Sequence, residues 1–183
     1  MRPESLACMK QIPLLQEFSE ADLAALSDIF LVRNLAPGEI LFRELDPAAS
    51  FFIIVSGIVF VYKEISHTVR QRIATLGRFR FLGEVTLIDG GVRTATTEAG
   101  SPLTVLECRK ADFDLLFFTN NRFAFKVFDY IITDLSARVR AANHRLEELL
   151  ANPGQTLSVI YDAFVEVGSA AYDTEESERP PLR

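Results

Sequence analysis

The chain has 183 residues, 49% of them apolar, with 15 Phe, no Trp and a formal net charge of −6. That length suits one domain plus an appendage with a real core, and the acidic balance argues against a nucleic-acid surface over the whole chain. Cys8 and Cys108 lack any CxxC or ligand spacing and read as reduced thiols, while the lack of a leader pattern or of ~20 consecutive apolar residues argues against secretion and membrane spanning and for a cytoplasmic protein.

In chain order, Leu6–Leu14 reads as a short helix. Ser19, with Asp22 three residues on and then Leu23, Leu26, Ile29 and Phe30 at helical spacing, predicts an N-capped helix from about Glu20 to Phe30. From Leu31 to Glu107 the pattern changes to short strands. Turn residues recur at Pro37-Gly38, Asp46-Pro47, Ser56-Gly57, Gly77, Gly90-Gly91 and Gly100-Ser101-Pro102, which suggests a sandwich or barrel. Phe51–Tyr62 is apolar but short and broken by Ser56-Gly57, so it reads as a buried hairpin. Lys110–Phe118 is a second helical stretch.

A long helix follows, from about Asn121 to Ala151. Its apolar residues are Phe125, Phe128, Ile132, Leu135, Val139, Ala142, Leu146 and Leu149, spaced 4, 3, 4, 3, 4, 3 from Phe128 onward. That is a heptad seam. It can pack on the domain's own strands, but a helix of about thirty residues is ~45 Å long, longer than one small domain covers. A parallel homodimer through residues 125–149 is therefore expected. Asn152-Pro153-Gly154 ends the helix. Thr156 caps a further short helix with Leu157, Ile160, Phe164 and Val167 on one face, and Ala171–Arg183 reads as a disordered tail.

The chemistry concentrates in Phe81-Leu82-Gly83-Glu84-Val85-Thr86-Leu87 and in Arg93-Thr94-Ala95. The first run leaves a β-like stretch and opens a turn of helix; the Arg arrives after the Gly90-Gly91 break. A guanidinium meets two oxygens of a phosphodiester with parallel, charge-assisted hydrogen bonds. Gly83 lets the backbone come close. Glu84 repels a phosphate but accepts from a ribose hydroxyl, and Thr94 donates to the phosphate or to a base edge. Taken alone, Arg93 reads as an ordinary salt-bridged arginine and Glu84 as a helix-start carboxylate. The Gly-Glu…Arg-Thr frame shifts both toward a pocket. Arg78 and Arg80 raise local positive potential or simply sit in a solvated turn. His67 and His144 show no metal spacing, no nucleophile stands beside a His, and no carboxylate pair marks an acid–base enzyme. No catalytic or metal site is expected.

The cassette resembles the phosphate-binding cassette of the cyclic nucleotide-binding domain, found in the catabolite activator protein, cyclic-nucleotide-dependent kinases and gated channels. Leu35-Ala36-Pro37-Gly38-Glu39-Ile40-Leu41-Phe42-Arg43-Glu44 is similar to that family's Pro-Gly strand pair, and Phe52–Tyr62 to its central hairpin; the likeness spans roughly Leu6–Leu150. The resemblance implies an α+β, mainly β fold: a double-stranded β-helix, or jelly-roll β-roll, of about eight strands. N-terminal helices precede it and a long C-terminal dimerisation helix follows. It implies cAMP or cGMP as ligand, no cofactor, and contacts from Gly83, Glu84, Val85, Thr86, Arg93 and Thr94. Thr94 is compatible with cGMP. Base contacts in this fold usually come from the long helix, where Thr133, Ser136, Arg140 and Asn143 are the polar residues and Arg140 is taken as the candidate. Three positions depart from the pattern: Leu45 and Phe79 stand where the family has Gly, and Thr86 where it has Ala. Leu45 and Phe79 then signal strain or rebuilt turns.

The expected organisation is N-terminal helices over 1–30, the roll over 31–120, the dimerisation helix over 121–151, and a short helix and acidic tail over 152–183. The remaining thirty or so residues are too few and too acidic for a winged helix-turn-helix, so direct DNA binding is not expected. Output then runs through the dimer interface or an unidentified effector protein. Two readings stay open: a ligand-binding regulatory module, and a ligand-free dimeric scaffold.

Overall fold

A computed structural model describes residues 1–65 and 69–151, with positions 154 and 157 beyond them. The chain divides into two units, Met1–Ile131 and Ile132–Arg183. The expectations for the short helix after Thr156 and for the acidic tail, and the side chains of Thr86 and Asp89, lie outside what is described.

Two short helices open the first unit. Helix α1 (Pro3–Met9) starts on a Pro at its first turn, where the missing N–H is harmless. The expected Leu6–Leu14 helix is thus displaced, its second half being a 3-10 turn at Pro13–Leu15. Helix α2 (Glu20–Leu26) carries the capping box expected of Ser19 and Asp22. It stops at Leu26, four residues before the expected end. The Ser27 hydroxyl donates to the Ala24 carbonyl at 2.6 Å, which takes an acceptor from the helix ladder. Phe30, read as the last helical apolar residue, instead opens the first strand opposite Cys108.

Among the described residues the strands are β1 (Phe30–Leu35), β2 (Ile40–Phe42), β3 (Ser50–Ser56), β4 (Val59–Glu64), β5 (Arg70–Leu76), β6 (Phe81–Leu82), β7 (Thr96–Ala99) and β8 (Leu103–Arg109). They form two four-stranded antiparallel sheets, ordered β1-β8-β3-β6 and β2-β7-β4-β5. Helix α3 (Val85–Asp89) interrupts the roll between β6 and β7, and α4 (Lys110–Phe118) and α5 (Arg122–Ala151) follow it. The mainly β roll with its long C-terminal helix is the expected fold.

The expected hairpin at Phe51–Tyr62 does not form. Strand β3 pairs with β6 and β8, and β4 with β5 and β7. Ser56-Gly57 is a corner at which the chain leaves one sheet and enters the other. Gly57 has φ +92°, and a Cβ there would sit 2.4 Å from the Pro102 carbonyl oxygen. The Pro37-Gly38 segment likewise joins strands of different sheets, β1 and β2, rather than a hydrogen-bonded pair.

Strand β3 is buried at every position except Ser56, which explains its unbroken apolar run. Phe52 and Ile54 enter the core between the sheets with Leu35, Leu41, Val59, Leu82, Ala99, Leu103 and Val105. Phe51 turns the other way and meets the rings of Phe30, Phe81 and Phe113. Phe123 at the start of α5 meets Phe18, Phe30 and Phe113 edge-on. Such pairs add to plain burial, and this second cluster accounts for much of the chain's Phe content.

Helix α5 uses two stripes. Phe123, Ala124, Val127 and Ile131 are its buried residues. None of them belongs to the seam read from sequence. In the second unit the seam residues Ile132, Val139, Leu146 and Leu149 are exposed and Leu135 is half-buried. Asp134 and Arg138 form an ion pair one turn apart there.

Candidate functional site

Gly83 follows β6 in the left-handed region, at φ +71°. A Cβ at this position would lie 2.0 Å from Arg93 Nη1 and 3.3 Å from the Ser50 carbonyl oxygen. The glycine is therefore required twice, for its backbone angle and for the guanidinium pressed against it. Glu84 comes next and is 5% exposed; its carbonyl accepts from Leu87 N–H to begin α3.

Arg93 is held from both ends. Its N–H donates to the Asp46 carbonyl at 3.0 Å, and its own carbonyl accepts from Leu45 N–H at 2.9 Å. Pro47 and Val92 bridge beside this clasp. The Asp46 carboxylate accepts from Arg43 N–H at 2.8 Å and fixes the turn. That turn holds Leu45 at φ +68°, and Phe79 stands at φ +67° before β6. Both are strained turns that keep the glycine geometry without the glycine.

The Arg93 side chain is 4% exposed. Its Nη2 donates to Ser50 Oγ at 3.3 Å, and its Cζ lies 4.2 Å from the centre of the Phe42 ring and 5.5 Å from that of Phe52. Nε and Nη1 have no hydrogen-bond partner. Burial pushes the guanidinium pKa down, against the nearby charges of Glu107, Asp46 and Glu84, but an arginine stays protonated. A buried cation with two unmet donors is costly. Nε and Nη1 lie on different edges of the guanidinium, and each offers an N–H to a free oxygen of a phosphodiester.

The other expected contacts are placed as follows. Val85 is half-buried and begins α3, and Thr86 is in the same helix. Thr94 is exposed, and its carbonyl accepts from Lys63 Nζ at 3.1 Å. Thr133, Arg140 and Asn143 are exposed and Ser136 half-buried, all on α5 past Ile131 and so in the second unit. The structure thus brings Gly83, Glu84 and Arg93 together within the first unit. Arg78 donates from Nε to the Val55 carbonyl at 3.0 Å and lies over the Phe79 ring, so it is a turn residue. Sequence reasoning missed Ser50, Phe42, Phe52 and the Leu45-Asp46 clasp. Their only signal is long-range pairing, which no local pattern carries. Among the described residues no helix is long and apolar enough to cross a membrane.

A family profile described as cyclic nucleotide-binding domain matches residues 32–120, a stretch that runs from β1 through the cassette to the end of α4. Residues 32–120 belong to the cyclic nucleotide-binding domain family. The cGMP-dependent protein kinase isozyme 1 of Drosophila melanogaster is 33% identical over 112 residues, which are 60% of this chain and 14% of that protein. A cAMP-dependent protein kinase regulatory subunit of Hypocrea atroviridis is 25% identical over 108 residues, 59% of this chain and 22% of that one. The chain therefore spans less than a quarter of either relative. Among solved structures, a cyclic nucleotide-binding domain from Methylobacillus flagellatus superposes with a TM-score of 0.64 at 27% identity, covering 78% of this chain and 80% of its own. The Thermus thermophilus catabolite activator protein gives 0.62 at 23% identity, over 75% and 62%; it shares the fold.

Proposed function

We propose that this chain is a regulatory module that binds cAMP or cGMP reversibly, and that it performs no catalysis. The observation that carries this reading is Arg93, buried to 4% exposure with Nε and Nη1 unpartnered. Arg93 would offer its unpartnered N–H groups to the phosphate oxygens, with Gly83, which has no Cβ, leaving room for the guanidinium beside the backbone. Glu84 would accept from a ribose hydroxyl. Val85, Thr86 and Thr94 would line the same pocket. Relatives described as cAMP- and cGMP-dependent kinases support the ligand class and leave the choice between the two nucleotides open.

The domain would signal as a parallel homodimer through residues 125–149, whose exposed apolar seam supports that pairing, toward an effector protein and without direct contact to DNA. The partition into 1–30, 31–120, 121–151 and 152–183 belongs to the same reading, as does a cytoplasmic setting.

The second reading, a ligand-free dimeric scaffold, is favoured by Leu45 and Phe79 in the left-handed region. Titration calorimetry of ligand-stripped protein against cAMP and cGMP separates the two. Binding at about −8 kcal/mol, micromolar affinity, that disappears in Arg93→Met with the fold intact is the expected outcome. No heat from either nucleotide in folded wild type would favour the scaffold.

A further inference from the structure

Three buried side-chain polar atoms lack a hydrogen-bond partner among the described residues: Arg93 Nε, Arg93 Nη1 and Thr97 Oγ1. The proposed function uses the first two. Thr97 lies on β7, opposite Phe42 of β2 on one side and Val61 of β4 on the other. Directly opposed residues of antiparallel strands put their side chains on one face. Two residues along, Ala99 faces Val59, and both belong to the core between the sheets. Thr97 therefore stands on the inner face of the roll, and it is 2% exposed. Its neighbour Thr96 points to the other face, where its hydroxyl accepts from Glu44 N–H at 3.0 Å. Of two adjacent threonines, only the inward one is unsatisfied.

Valine has the same shape and would fill that space without an unmet hydroxyl. The inner face also loosens here. Val61 and its partner Ala74 are half-buried, while Val59, the next inward residue of β4, is fully buried. Phe42, which faces Thr97, is the residue whose ring carries the Arg93 guanidinium. Arg93 and Thr97 thus share Phe42 as a neighbour, one over its ring and the other opposite it across the strands.

We infer that Thr97 is a further ligand contact, its hydroxyl bonding the sugar–phosphate end of the nucleotide that Arg93 holds. This rests on the cyclic nucleotide reading of the pocket. The sugar–phosphate is common to both nucleotides, so the contact contributes to cAMP and cGMP alike.

The test is calorimetric titration of wild type, Thr97→Val and Thr97→Ser with both nucleotides, beside thermal unfolding of each ligand-free protein. Thr97→Val should bind every nucleotide that wild type binds about tenfold more weakly, the worth of one good hydrogen bond. Thr97→Ser should stay near wild type, and ligand-free Thr97→Val should melt no lower than wild type. Unchanged affinity in Thr97→Val, or an equal loss in Thr97→Ser, overturns the inference and leaves the Arg93 reading standing. A loss confined to one nucleotide places the contact on the base and overturns it too. Wild type that binds neither nucleotide removes both.

Discussion

Leu45 and Phe79 are where a local rule is broken. An L-residue in the left-handed region costs about 1–2 kcal/mol, and both turns adopt it. The Leu45 side chain is 72% exposed, so little burial offsets the strain. Leu45→Gly should raise stability by about 1 kcal/mol, read as a higher urea midpoint at unchanged slope. The Phe79 ring covers the Arg78 guanidinium at 4.8 Å, so the same change at Phe79 returns less. At this scale the sequence was partly legible. Gly83, Glu84 and Arg93 announce themselves because phosphate chemistry demands those residue types close together. Ser50, Phe42 and Thr97 do not, because each reaches the site by strand pairing across forty residues or more, and each is an unremarkable strand residue in its own segment.

At the scale of elements, local signals held where a cap or a period decides and failed where tertiary packing decides. The Ser19 capping box and the α5 period were readable. The end of α2 was not, because Phe30 follows the helical spacing of Leu23 and Leu26 yet packs as a strand residue against Phe51 and Phe123. Nor was the role of Ser56-Gly57, since a turn between two apolar runs looks the same whether the runs pair or part into different sheets. Helix α5 shows both cases. Its exposed heptad stripe was visible as a repeat, whereas its buried stripe is short and masked by the aromatic residues around it. The two stripes make opposite predictions. Phe123→Ala empties a position in the aromatic cluster and should cost about 3–5 kcal/mol, measured by denaturant unfolding. Val139→Glu with Leu146→Glu changes exposed positions and should leave the unfolding of the roll unaffected. The pair should halve the mass seen by light scattering if the seam joins two chains. An unchanged mass would sink the dimer.

For the whole molecule, binding and folding are linked. A ligand that binds only the folded state stabilises it by RT ln(1 + [L]/Kd), about 2.7 kcal/mol at a hundredfold excess over Kd. For a domain of this size that is a rise in melting temperature of roughly 5–10 °C. The bound nucleotide should give it in wild type and not in Arg93→Met, by differential scanning fluorimetry. Arg93→Met without ligand should melt no lower than wild type, since it removes a buried cation with two unmet donors.

The buried, unsatisfied arginine also bears on how long the protein lasts. In a cell, a difference of 1–2 kcal/mol changes abundance several-fold, because unfolded chains are continually removed by proteases. On the proposed reading, a chain whose empty form carries an unsatisfied cation should be shorter-lived when its nucleotide is scarce and persist when the nucleotide is plentiful. Its copy number would then follow nucleotide levels through turnover alone.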